Sequence, residues 1–148
     1  MPSASPSSTL GPQAQAALAA YVAAWADAAA VEDGGNYRDS RLERHIAGDL
    51  LMTISEDDYV EEAHGVASRG MPILHPRVSA QNLNGDPPTV TVTDCIDFRH
   101  FIQYYVATGK QYGAVQTGLS ASTSTVTLMN GAWMVTSAAT GADGSCSL

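Results

Sequence analysis

The segment Thr89-Val90-Thr91-Val92-Thr93-Asp94-Cys95-Ile96-Asp97-Phe98 constrains this chain more than any other. Its β-branched residues alternate with a period of two, as expected of a strand with one buried face and one face rich in hydroxyls. Val90, Val92, Ile96 and Phe98 then share a face with Asp94, and the threonines share the other with Cys95 and Asp97. A carboxylate is thus set among apolar neighbours. The stretch predicts the middle of a sheet, with helices before Gly70 to cover one face and further strands after Gly113 to pair with it.

The surest helix runs from Pro12 to Val31. Proline is suited to a first turn, and Ala14, Ala17, Leu18, Tyr21, Val22, Trp25, Ala28 and Ala29 recur at three-and-four spacing before Asp33-Gly34-Gly35 ends the pattern. Tyr21 and Trp25 lie one turn apart on this stripe, where they either pack against the sheet or wall a cavity beneath the helix. A second, short helix is predicted from Asp39 to Ala47, with Leu42 and Ile46 facing inward and Gly48 as its stop. A third is predicted from Asp49 to His64, with Leu50, Leu51, Ile54 and Tyr59 on its inner side. Its outer side would carry Glu56, Asp57, Asp58, Glu61 and Glu62, like charges that repel at helical spacing and favour a solvated face. A calcium site would instead call for a glycine-containing loop of alternating oxygen ligands.

After Gly70 the pattern changes. Pro72 and Pro76 make Met71 to Val78 extended and fit an edge or a strand's beginning. The turn cluster Asn84 to Pro88 predicts a hairpin between Val78–Leu83 and Thr89–Phe98. Arg99 to Lys110 reads as an aromatic-rich connection. Its Thr108-Gly109-Lys110 lacks the earlier glycine and the following Ser or Thr of a phosphate loop. Val115 to Met129 reads as a long strand bent at Gly118, and Asn130-Gly131 turns it into Ala132–Thr136. Helices first and antiparallel strands after define an α+β domain: three N-terminal helices on a curved antiparallel sheet of about four strands. The Ser/Pro-rich residues 1–11 form a disordered leader, and residues 12–148 form a single domain.

Fifteen Asp and Glu stand against seven Lys and Arg. With no basic cluster, nucleic acid and anionic membrane surfaces are poor partners. No membrane span is expected, and no basic segment followed by an apolar run marks a signal peptide at Met1. No CxxC, HExxH or helical His pair suggests a metal, and no cofactor is expected. Two readings stand open for Cys95 and Cys146. They are either free thiols in a reducing cytoplasm or a bridge tying the C-terminal tail to the sheet. The bridge would close a loop of about 50 residues, contribute roughly 4 kcal/mol in the chain-entropy model and imply an oxidising compartment.

Several motifs taken together carry a resemblance: Gly65-Val66-Ala67-Ser68-Arg69-Gly70-Met71-Pro72 with Pro76-Arg77-Val78, Val92-Thr93-Asp94-Cys95-Ile96-Asp97, Thr108-Gly109-Lys110, Asn130-Gly131-Ala132-Trp133-Met134-Val135 and the late Cys146. The chain resembles small secreted or lipoprotein-like actinobacterial domains of the NTF2-like (SnoaL or ketosteroid-isomerase-like) cone. The resemblance implies a curved sheet around the first helix enclosing a pocket, a homodimer through the sheet's outer face, and the Cys95–Cys146 bridge. It also implies a secreted or cell-surface location.

Within such a cone, Tyr21, Trp25, Tyr37, Tyr59, Tyr104 and Trp133 are the aromatic residues placed to line a pocket for an apolar small molecule. That reading makes the protein a non-catalytic binding or interaction module. The alternative is a cofactor-independent isomerase, cyclase or dehydratase with Asp94 as general base, His45 or His64 as further bases, and a Tyr or Trp donor polarising a carbonyl. The two readings part on geometry: catalysis needs Asp94 and a phenol aimed into one empty volume.

Overall fold

The computed structural model describes residues 10–148, so the expected Ser/Pro-rich leader falls almost wholly outside the described residues. Helix α1 spans Pro12–Gly34, begins with proline in its first turn and ends where Gly35 adopts a left-handed conformation. Its buried face runs Ala14, Ala17, Tyr21, Ala24, Ala28 and Val31, a repeat of three and four in which small alanines let the backbone approach the sheet closely. Val22 does not belong to it. At about 100° per residue it lies roughly 140° around the helix from Ala17, and it is 44% exposed. α1 has the length and hydropathy of a membrane-crossing segment, but here this stripe is packed against the sheet as part of the core.

The expected second helix is reduced to a 3-10 turn, Ser40–Glu43, capped by the Asp39 carboxylate, which accepts from the Arg41 N–H. A helix this short is marginal unless packing rewards it, and here the chain gains more by extending. Ile46 forms a parallel bridge with Val135, the Ala47 N–H donates to the Val135 carbonyl, and the Val135 N–H donates to the His45 carbonyl. Leu42 and Ile46 still face inward as expected. Helix α2 follows as Gly48–Ala63, within about a residue of the expected bounds.

The sheet is larger than expected and comes in two parts. β1 (Val66–Gly70) pairs antiparallel with β4 (Phe101–Tyr105), making a two-stranded ribbon where the sequence suggested only connections. β2 (Arg77–Asn82), β3 (Thr89–Ile96), β5 (Ser120–Met129) and β6 (Ala132–Thr140) form a four-stranded antiparallel sheet in the order β2-β3-β5-β6. The class is therefore α+β, with two α-helices rather than three. Gly70 marks the tight place in the ribbon. Its φ is +88°, and a Cβ there would lie 1.9 Å from the His100 carbonyl oxygen. Asn130 and Gly131 both take positive φ in the β5–β6 turn, as the Asn-Gly signal requires.

β3 buries Val90, Val92, Asp94 and Ile96, as its alternation predicted. β5 begins at Ser120 rather than Val115. The Asp143 carboxylate accepts from the Thr117 and Gly118 N–H groups and holds the preceding residues as a loop. On its inner face β5 places Ser120, Ser122 and Ser124 before Val126, small side chains that leave room for α1. The core gathers Tyr21, the α1 alanines, Leu42, Ile46, Val90, Val92, Val126 and Val135. Cys95 and Cys146 are joined by a disulfide with Cα atoms 6.0 Å apart, across 51 residues of sequence.

Candidate ligand pocket and carboxyl cluster

A pocket opens between α1, α2 and the β5–β6 half of the sheet. Its volume is about 250 Å³, and its walls include Tyr21, Trp25, Ile46, Leu50, Ile54 and Val135. It exists because alanines on α1 and Ser124 on β5 leave space that larger side chains would fill. Tyr21 and Trp25 line it, as expected from the stripe.

Asp94 does not point into that volume as a free base. Its Oδ2 accepts from the Tyr21 hydroxyl at 2.7 Å and its Oδ1 from the His75 backbone N–H at 2.7 Å. Burial, and then the hydrogen bond and negative charge of Asp94, raise the Tyr21 pKa well above the ordinary phenol value. The phenol therefore stays protonated and remains the donor. Together they form a buried polar link between α1, β3 and the segment before β2, with both carboxylate oxygens occupied.

The other aromatic residues are dispersed. Tyr37 and Tyr59 meet edge to face, 5.1 Å between centroids. Tyr59 is 54% exposed, which corrects its expected inward position: α2 presents Asp58, not Tyr59, to the interior on that turn. Tyr104 lies under the Arg69 guanidinium, 4.5 Å from the ring centroid. Trp133 lines a separate shallow groove beside Arg44 and His45. His45 Nδ1 sits 2.8 Å from the buried Asp27, which also pairs with Arg44. Burial opposes ionisation of Asp27, but hydrogen bonds and charge from these partners outweigh it and lower its pKa. His64 is exposed at the end of α2.

A second, more polar cleft of about 360 Å³ lies beside the first, lined in part by Glu32, Glu61, Ser68, Phe98, Gln103 and Tyr112. Thr140 borders both spaces. Trp25 from the first and Phe98 from the second pack at 5.6 Å between ring centroids.

At one end of this cleft Glu32, Asp58 and Glu61 converge, each contributing an oxygen within 4.8 Å of the others. The expectation of a solvated acidic face fails here for Asp58, which is 7% exposed. Asp58 follows Leu50 and Ile54 at four-residue spacing, so it continues the inner stripe. That spacing is the signal in the sequence that places Asp58 inward, against the preference of its charge for water. Burial, and then the charges of Asp58 and Glu61, push the Glu32 pKa up to about 8. Asp58 is pushed up to about 6, chiefly by burial. Glu61 is raised by burial and by the charges of Asp58 and Asp57, against the opposing hydrogen bond from Gln103.

These raised values set a sign. The folded protein keeps on Glu32 a proton that the unfolded chain loses near its ordinary value of 4.5, and releases it only near about 8. Stability contributed by that proton is complete below the lower value and is lost as pH rises through the window. The lowered carboxyls Asp27, Asp39, Asp97 and Asp143 act at more acid pH. In chelator-treated buffer, urea unfolding at pH 5 and pH 7 should differ by about 2 kcal/mol in favour of pH 5, and Glu32→Gln should remove most of the difference.

Fold and site together define a class: an α+β domain with one long helix packed across an antiparallel sheet and an apolar pocket at their junction. No protein-family model matches the chain. No curated protein matches it either. Among solved structures, the chain is similar to the intermembrane space region of the chloroplast protein ARC6, with a TM-score of 0.58 and 12% identity over 87% of this chain and 96% of that one. At that identity the likeness is one of fold alone.

Proposed function

We propose that this domain is a non-catalytic binding module of the NTF2-like type that holds a small apolar molecule between α1, α2 and β5–β6. The observation that carries the reading is the pocket's lining. Its walls are largely aliphatic and aromatic, and the one buried phenol among them is already committed to Asp94. A volume of about 250 Å³ lies just below the range of roughly 300–1,000 Å³ usual for ligand sites. It exceeds the roughly 150 Å³ of an apolar cavity that binds benzene. The ligand is therefore of the order of one or two rings. General-base catalysis is the weaker reading, because Asp94 does not line this pocket and each of its oxygens already accepts a hydrogen bond within the fold. The disulfide supports an extracytoplasmic setting, where such bridges persist.

The test uses Trp25 as reporter. The chain has two tryptophans, and Trp133→Phe leaves only the one that lines the pocket. Titration with toluene should give a saturable change in its emission, and Ala28→Leu, which fills the pocket, should abolish that change. An unchanged spectrum, or an equal response in the Ala28→Leu protein, would remove the proposal.

A further inference from the structure

We propose that Glu32, Asp58 and Glu61 form a binding site for a hard divalent cation at the junction of α1, α2 and the polar cleft. The three carboxyls offer oxygens within 4.8 Å of one another. They line a small pocket of about 10 Å³, close to the least volume that holds a single water-sized occupant, roughly 10–15 Å³.

The second observation is Asp58 itself. It is 7% exposed, and among the described residues its buried Oδ2 receives no hydrogen bond from outside the carboxyl cluster. Without an ion, the group within reach of Asp58 is the Glu32 carboxyl, with which it shares a proton; a divalent cation replaces that proton and satisfies both carboxylates.

The surroundings deepen the need for positive charge. Glu32 lies in the last turn of α1 and Glu61 in the last turn of α2, where the helix dipoles are negative. Neither last turn carries a basic residue. Among the described residues no Lys, Arg or His forms an ion pair with Glu32, Asp58 or Glu61. Among the described residues the polar side chain from outside the cluster that hydrogen-bonds to it is Gln103, whose Nε2 donates to Glu61 Oε1 at 2.8 Å. An all-carboxylate donor set selects calcium, magnesium or manganese over thiophilic metals. Glu32 and Glu61 also border the polar cleft, which gives an ion a route in from solvent.

The test uses the whole chain, stripped with chelator and titrated separately with calcium, magnesium and manganese chlorides by calorimetry and thermal unfolding. At least one cation should bind at one site with a Kd on the order of 10⁻⁴ M and raise the unfolding temperature saturably. Asp58→Asn should weaken binding by at least about tenfold. This variant keeps the shape and removes a repulsive charge, so it folds without metal. Glu56→Gln, on the exposed side of α2, should bind as the wild type does. Two outcomes would overturn the site: no heat and no thermal shift with any of the three ions, as when the carboxyls merely share a proton, or a response that Asp58→Asn leaves unchanged. Either leaves the apolar pocket unaffected, since toluene binding at Trp25 is read separately.

Discussion

Reduction of the Cys95–Cys146 bridge is expected to lower the unfolding free energy by about 4 kcal/mol, the chain-entropy value for a loop of this length. The bridge spans 51 residues and links the central strand β3 to the C-terminal tail. Its loss frees the unfolded chain far more than the folded one. In the folded state the tail keeps other attachments: the Gly144 N–H donates to the Leu119 carbonyl, the Ser145 hydroxyl accepts from the Ala121 N–H, and Asp143 holds Thr117 and Gly118. The native fold should therefore persist while the melting temperature falls by about 10 °C, at a few degrees per kcal/mol for a chain of this size. Thermal melts with and without reductant, and of the Cys95→Ala/Cys146→Ala protein, measure it. A shift of less than about 2 °C would mean that the tail's hydrogen bonds already confine the chain.

Tyr21→Phe should cost about 2–3 kcal/mol, the range for a hydrogen bond to a buried charged group. The substitution removes only an oxygen, so packing on α1 is unchanged. What it leaves behind is a buried Asp94 with Oδ2 unpartnered and only the His75 N–H on Oδ1. Asp94→Asn should cost less, under about 1.5 kcal/mol. Its amide oxygen can accept from His75, its amide nitrogen can donate to the Tyr21 oxygen, and the Tyr21 hydroxyl hydrogen can turn to the neighbouring Ser122, so the loss is partly made good. This order follows from a structural pair. Were Asp94 a general base with a free oxygen, Asp94→Asn would leave stability nearly unchanged. Urea unfolding of the two variants at pH 7 gives the ranking, and a larger loss in Asp94→Asn than in Tyr21→Phe would contradict the assigned bonding.

Much of the scaffold was legible because its signals are periodic and local. The α1 stripe, the β3 alternation and the Asn130-Gly131 turn each state their structure within a few residues, and the structure follows them. The misses share a cause. β1 and β4 are five residues each, too short for a period to stand out, and their pairing depends on strand partners about 35 positions apart. Residues 44–47 carry a helical pattern, yet they follow the exposed edge of β6, which was not visible from that stretch alone. In the pocket, Tyr21 and Trp25 were placed by their helical spacing. Tyr37, Tyr59, Tyr104 and Trp133 had no such constraint, and their directions were set by α2, the ribbon and the β6 edge.

The amino-acid order by itself determined which face of α1 and of β3 is buried, because apolar side chains leave water at whatever period the backbone imposes. That is why it also put Asp94 inside the core. Only the tertiary structure decided what the buried polar groups do there. It brought the Tyr21 hydroxyl and the His75 N–H onto Asp94 from segments distant in sequence. It also brought Glu32 against Asp58 and Glu61, although 26 residues separate Glu32 from the nearer of them. Hydrogen bonds and like-charge contacts act over a few ångströms between residues that no local pattern couples, and so they exist only once the chain has folded.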